Sequence, residues 1–122
     1  MNLLDSSALL AFLLGEPGAQ HVQNALPTAA LPLANLTETI DVLQRKGASF
    51  PQAASSVSKL QLPIVAHTEA SAMFAARLSI FAGLSLGDRL CIAEAMALNA
   101  PVLTSDRLWA QLNLPITVEL IR

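Results

Sequence analysis

Gly83-Leu84-Ser85-Leu86-Gly87-Asp88-Arg89-Leu90, followed after one helix length by Pro101-Val102-Leu103-Thr104-Ser105-Asp106-Arg107-Leu108-Trp109, is the stretch whose reading decides the fold. Leu86, Leu90, Ala93 and Ala97 recur at helical spacing, Asn99 is a natural stop and Pro101 stands beyond it. The spacing predicts a helix opening near Asp88, then a short, wholly apolar strand that ends at Asp106. Asp106 in turn opens a brief helix over residues 108–112. Carboxylates are therefore placed where one element hands over to the next.

Outward from this stretch the pattern repeats. Residues 1–4 read as a short strand ending at Asp5, and residues 6–14 as a helix broken by Gly15-Glu16-Pro17-Gly18. A second helix covers residues 19–26. Residues 30–34 form the next apolar run, after which Asn35-Leu36-Thr37-Glu38 opens a helix with Leu36, Ile40 and Leu43 on one face. Residues 50–60 are helical, with Pro51 in the first turn and Phe50, Ala54, Val57 and Leu60 on one side. Residues 63–66 are a strand, Thr68 caps a helix whose Ala70, Phe74, Leu78 and Phe81 face the core, and residues 116–121 close the chain as an edge strand.

Apolar strands alternating with helices predict an α/β fold: three layers around a central, mainly parallel sheet of four to five strands, in one domain spanning 1–122. Open sheets of this kind bind ligands outside the carboxyl ends of their strands. Asp5, Glu38 and Asp106 follow strands, and Asp88 begins the helix leading into the last of them, so the four converge at one end of the sheet.

Composition limits what those acids do. Just over half of the 122 residues (53%) are hydrophobic and 13% are charged, an apolar excess that predicts a face buried against a second copy or a partner. No apolar run approaches the roughly 18 residues of a membrane span, and the N-terminus carries Asp5 rather than a basic segment. The chain reads as a cytoplasmic protein. Its lone Cys91, among apolar neighbours at a helical position, reads as a buried core thiol.

Each acid has an ordinary structural role open to it. Asn35 with Glu38 and Ser85 with Asp88 have capping-box spacing, and Asp5 and Asp106 are natural N-caps. Taken together they favour a site, because the ionisable capping residue recurs at the presumed functional end of the sheet. Setting these four aside from nine acids and seven bases leaves five against seven, a mildly basic surround for an acidic centre. Clustered carboxylates repel unless a cation sits among them, and hard divalent ions take oxygen ligands, so the expected occupant is Mg²⁺ or Mn²⁺. Such an ion activates water and neutralises a phosphoryl oxygen, which makes phosphodiester hydrolysis the natural chemistry.

Lesser roles follow from position. His21 and His67 lie off the junctions and read as structural or solvated. Asp41 and Arg45 are spaced for a helical ion pair, and Glu69 and Glu94 read as solvated acids. Arg89 and Arg107, each next to a proposed ligand, are candidates to hold a phosphate or a neighbouring carboxylate. Trp109 reads as core or partner interface ahead of base stacking.

Leu3-Leu4-Asp5-Ser6-Ser7-Ala8-Leu9-Leu10-Ala11, Asn35-Leu36-Thr37-Glu38, Gly83-Leu84-Ser85-Leu86-Gly87-Asp88-Arg89 and Leu103-Thr104-Ser105-Asp106-Arg107 together resemble the PIN-domain nucleases, and within them the VapC toxin of VapBC toxin–antitoxin pairs. The likeness spans almost the whole chain. It implies a Mg²⁺- or Mn²⁺-dependent endoribonuclease acting on RNA, a homodimer, and inhibition by a cognate VapB-like antitoxin. By position it assigns the acidic residues to Asp5, Glu38, Asp88 and Asp106, with Ser6, Thr104 and Ser105 as hydroxyls assisting metal or substrate. The competing reading is a non-catalytic α/β binding module whose acids only cap helices. A phosphoacceptor receiver domain fits less well: Ser6 and Ser7, not a second acid, follow Asp5, and the only lysines are Lys46 and Lys59.

Overall fold

A computed structural model describes residues 1–122. The chain runs β1 (Asn2–Leu4), α1 (Ser6–Leu14), α2 (Ala19–Ala25), β2 (Ala29–Pro32), α3 (Leu33–Arg45), α4 (Phe50–Ser58), β3 (Ile64–Val65), α5 (Glu69–Arg77), α6 (Leu86–Leu98), β4 (Val102–Thr104), α7 (Leu108–Gln111) and β5 (Val118–Leu120). The strands form one five-stranded sheet in the order β3-β2-β1-β4-β5, parallel throughout. The α/β/α architecture read from the sequence is the one observed.

Strand alternation divides the core in two. Leu4, Leu31 and Leu103 point into a core shared with α1, α2, α3 and α4. Leu3, Ala30 and Val102 point to the opposite face, where Cys91, Ile92, Ala95 and Trp109 cover them. Successive strand residues face opposite ways, so a sheet roofed on both sides requires apolar residues at every position. The strand order reverses between β1 and β4, which makes the gap beyond their carboxyl ends the crevice of the fold. The Asp5 amide donates to the Leu103 carbonyl at 3.1 Å, so Asp5 stands at that gap.

Helix ends follow the capping chemistry in most places. Asp5 caps α1, accepting the Ala8 N–H at 3.0 Å. Ser49 with Gln52, Thr68 with Ser71, and Ser85 with Asp88 form capping boxes on α4, α5 and α6. Asn99 ends α6 in the left-handed conformation.

Several expectations are corrected. Helix α3 begins at Leu33, so Asn35 and Glu38 are inside it and form no capping box; Pro32 precedes it without a side-chain cap. The buried face of α6 is Gly87, Cys91, Ile92, Glu94 and Ala95 with Ala93, whereas Leu86 and Ala97 are exposed. Ser71, Ala75 and Leu78 are the buried face of the α5 segment, not Ala70, and on α4 Ala53 and Val57 are buried while Phe50 is exposed. Arg45 reaches the Asp41 backbone carbonyl rather than its carboxylate. Glu94 is not solvated: it is 4% exposed and bonded to His67. No helix is long and apolar enough to cross a membrane.

Candidate active site

Asp5 is buried at the carboxyl end of β1, and both of its oxygens are engaged. Oδ1 accepts from the Ser7 hydroxyl (2.6 Å) and the Ala8 amide (3.0 Å), and Oδ2 from the Thr104 hydroxyl (2.8 Å). Thr104 is the hinge of the arrangement, since its Oγ1 also accepts the Asp106 N–H at 3.0 Å. Ser7 ties the same strand end from the other side by accepting the Ser105 N–H at 3.0 Å. The ends of β1 and β4 are thereby locked together, and Asp106 is set on the turn beyond, its Oδ1 accepting the Leu108 N–H.

Glu38 enters from α3, and two donors converge on its Oε1: the Ser6 hydroxyl at 3.1 Å and Asn35 Nδ2 at 2.9 Å. Asn35 is fully buried, so this donor is fixed in place. The Glu38 carboxylate lies directly on Gly87 in the first turn of α6; a Cβ built on that glycine would collide with both oxygens and the carboxyl carbon. Asp88 is the next residue. Its Oδ2 accepts the Ser85 N–H at 2.9 Å, closing the capping box.

Glu38 Oε2, Asp88 Oδ1 and Asp106 Oδ2 accept no bond from the protein. Asp5 Oδ2, with a single donor, retains a lone pair. The mutual electrostatics place these acids in one field. Burial first, then the charges of Glu38 and Asp106, raise the Asp88 pKa against the hydrogen bonds from Ser85. Burial pushes the Asp5 carboxyl up to about 6, opposed by its Ser7, Ala8 and Thr104 donors and assisted by the Asp88 charge. A hard divalent cation would relieve that repulsion, and the free atoms are the oxygens it prefers. By type these oxygen donors suit Mg²⁺ or Mn²⁺, but no three acidic, histidine or cysteine side chains are grouped closely enough to hold an ion as they stand.

A sequence model of the PIN domain matches residues 3–113. The chain belongs to the PIN domain family. Among solved structures, a toxin–antitoxin complex from Klebsiella pneumoniae superposes with a TM-score of 0.78 at 18% identity, over 100% of this chain and 98% of that one. VapC20 of Mycobacterium tuberculosis, a sarcin–ricin loop cleaving toxin, gives 0.76 at 13% identity over 93% and 96%. VapBC-5 of the same organism, a member of the VapBC family of toxin–antitoxin systems, gives 0.63 at 24% identity over 99% and 97%. At these identities the likeness is one of fold. No curated protein matches significantly by sequence.

In this PIN domain the remaining residues named from sequence take varied places. Ser6 and Thr104 bond directly to the acids, and Ser105 contributes its backbone amide. Arg107 is exposed. Arg89 is not at the acids: its Nη1 donates to the Ala75 carbonyl at 3.3 Å, and its buried Nε has no partner. Trp109 is core. Cys91 is fully buried, and burial pushes its thiol well up, with the nearby Asp5 charge adding to the effect. It therefore stays a protonated core thiol. Sequence reasoning gives no role to Ser7 or Gly87, and it pairs Asn35 with Glu38 as a cap rather than as the buried donor that holds it. Ser7 sits in the same Asp-Ser-Ser triplet as Asp5, and Gly87 was visible as a glycine in a first helical turn, where close approach is the usual reason.

The Asp5 shift has a measurable consequence for this PIN domain. Its folded pKa of about 6 lies above the ordinary 3.8, so the folded chain holds the proton more tightly than the unfolded chain does. That contribution to stability is complete below pH 3.8 and is lost as pH rises through 6. It amounts to about 3 kcal/mol, at roughly 1.4 kcal/mol per tenfold change in proton affinity. With chelator present, wild type should lose more stability than Asp5→Asn between pH 4 and 7 in urea denaturation. Parallel profiles for the two proteins would contradict the burial account.

Proposed function

We propose that the chain is a divalent-metal-dependent endoribonuclease, the toxin half of a toxin–antitoxin pair. The observation carrying this reading is the Glu38 carboxylate seated on Gly87, beside Asp88. Local backbone bonds account for Asp5 and Asp88, which cap α1 and α6, and for Asp106, which is not the N-cap of α7 expected from the sequence, that place being Arg107's, but accepts the Leu108 N–H in the turn before it. They do not account for Glu38, which lies inside α3, caps nothing, and is aimed by Ser6 and Asn35 toward other acids. A module whose acids only cap helices has no reason to hold a fourth carboxylate there.

Glu38 Oε2, Asp88 Oδ1 and Asp106 Oδ2, with the spare lone pair of Asp5 Oδ2, would hold Mg²⁺ or Mn²⁺. Bound there, the ion supplies positive charge at a phosphoryl oxygen and makes water nucleophilic. The protein's own part is orientation. Ser6 and Asn35 fix Glu38, while Thr104 and Ser7 fix Asp5 and the turn carrying Asp106. Arg107, exposed beside Asp106, offers a guanidinium to substrate phosphate. Arg89, committed to Ala75, positions α6 against α5.

RNA as substrate and a VapB-like antitoxin as partner are supported by the family and by the toxins whose fold the chain shares. The exposed Phe50, Met73, Ile80 and Leu86 supply apolar surface for a homodimer or an antitoxin. Induced expression in bacterial cells tests this reading. Wild type should arrest growth, Asp106→Asn should not, and co-expression of a cognate VapB-like antitoxin should relieve the arrest. Arrest by Asp106→Asn equal to that by wild type would sink it.

A further inference from the structure

Helix α3 lacks a local cap. Its first-turn amides need acceptors, yet Pro32 precedes it with no side-chain cap bond. The acceptor comes from far along the chain: the Ala34 N–H donates to Nε2 of His67, 33 positions away, at 3.0 Å. A backbone amide only donates, so Nε2 carries no proton and the proton of the neutral ring sits on Nδ1. Nδ1 faces Glu94 Oε1 at 3.1 Å, and Glu94 is 4% exposed in the middle of α6. A carboxylate buried on an otherwise apolar helix face is costly unless paired, and His67 is its one side-chain partner.

The chain of bonds runs from α6 through a loop histidine to α3, the same two helices that bring Asp88 and Glu38 together. Glu94 stands six residues beyond Asp88, about 9 Å along the axis. The helices are thus tied at two levels, by Glu38 on Gly87 at the acids and by Glu94, His67 and Ala34 deeper in. We infer that Glu94, His67 and the Ala34 amide form a strut that positions Glu38 against Asp88. The two side chains are positioning residues: neither bonds to any of the four acids. The inference rests on the metal-site reading above, and it predicts that removing the strut weakens metal binding while the fold persists.

Calorimetric titration of Mn²⁺ into the full chain tests it, with Ala34 amide exchange as a second readout. Glu94→Gln keeps an oxygen for the Nδ1 proton and should bind within about 2-fold of wild type, whereas H67L/E94L should bind about 10-fold more weakly. The double variant buries two apolar side chains and no unpaired charge, so its far-UV spectrum should match wild type and its Ala34 amide should exchange faster. Equal Mn²⁺ affinity in the folded double variant overturns the strut and leaves the metal site standing. No Mn²⁺ binding by wild type overturns both. If the double variant does not fold, nitrogen NMR of wild-type His67 at neutral pH decides: a protonated Nδ1 and bare Nε2 support the strut, and a protonated Nε2 overturns it.

Discussion

Asp88→Asn and Asp106→Asn chains are expected to bind RNA within a few fold of wild type and to cleave it at least about 100-fold more slowly, since loss of an outer partner alone costs about 10- to 100-fold at metal sites. The structural reason is that each carboxylate has one oxygen bonded to the backbone and one free. Asp88 Oδ2 closes the α6 capping box and Asp106 Oδ1 accepts the Leu108 N–H. Asparagine keeps one oxygen for that bond, so the fold is preserved. The second atom, left free for the ion, becomes an amide nitrogen that cannot ligate it. Substrate binding is expected instead to rest on exposed cations such as Arg107 and to weaken with salt. Single-turnover cleavage at saturating protein, alongside filter binding, separates the two effects. Cleavage by either variant within 10-fold of wild type, at roughly the lower edge of that range, would return Asp88 or Asp106 to a capping role alone.

Gly87→Ala should also produce a loss, smaller but from a single methyl group. Alanine within a helix is favoured over glycine by about 1 kcal/mol, so on backbone grounds the change stabilises α6. Here the added carbon would occupy the place of the Glu38 carboxylate, both oxygens included. The long glutamate side chain can swing aside, whereas the α6 backbone cannot. Fold and melting temperature in chelator should therefore stay near wild type, while Mn²⁺ affinity and cleavage fall by about 10-fold or more, the size of effect seen when a ligand loses its orientation. Gly87→Ala with wild-type Mn²⁺ affinity would mean that Glu38 does not act from its seat on α6.

Physical range separates what was readable in the sequence from what was not. Asp5 and Asp106 were legible because a short apolar strand followed by an acid and then a helical pattern is a local signal. Ser85 with Asp88 was legible as a capping box for the same reason. The start of α3 was misplaced because Pro32-Leu33-Ala34 carries no polar cap, and the residue that serves the first turn, His67, lies on another segment. Glu94 was misread by the same blindness, since an acid on a helix looks solvated until its distant partner is known. The face of α6 was rotated because Leu90, Cys91, Ile92, Ala93, Ala95 and Met96 are apolar almost all round, leaving periodicity little to discriminate. Gly87 meets Glu38 through tertiary approach, which no spacing rule reports, whereas the Asn35–Glu38 pair shows in its i, i+3 spacing and only the burial of Asn35 does not.

If these acids hold an ion that drives RNA hydrolysis, cutting must depend on that ion. Incubating the purified chain with a labelled RNA in Mn²⁺ or Mg²⁺, with and without EDTA, and determining the chemistry of the cut ends tests it most directly. Cleavage is expected only in the presence of the ion, leaving 5′-phosphate and 3′-hydroxyl ends, as displacement of the 3′-oxygen from phosphorus by water gives. Cleavage that persists in EDTA, or 2′,3′-cyclic phosphate ends made by the RNA's own hydroxyl, would contradict it.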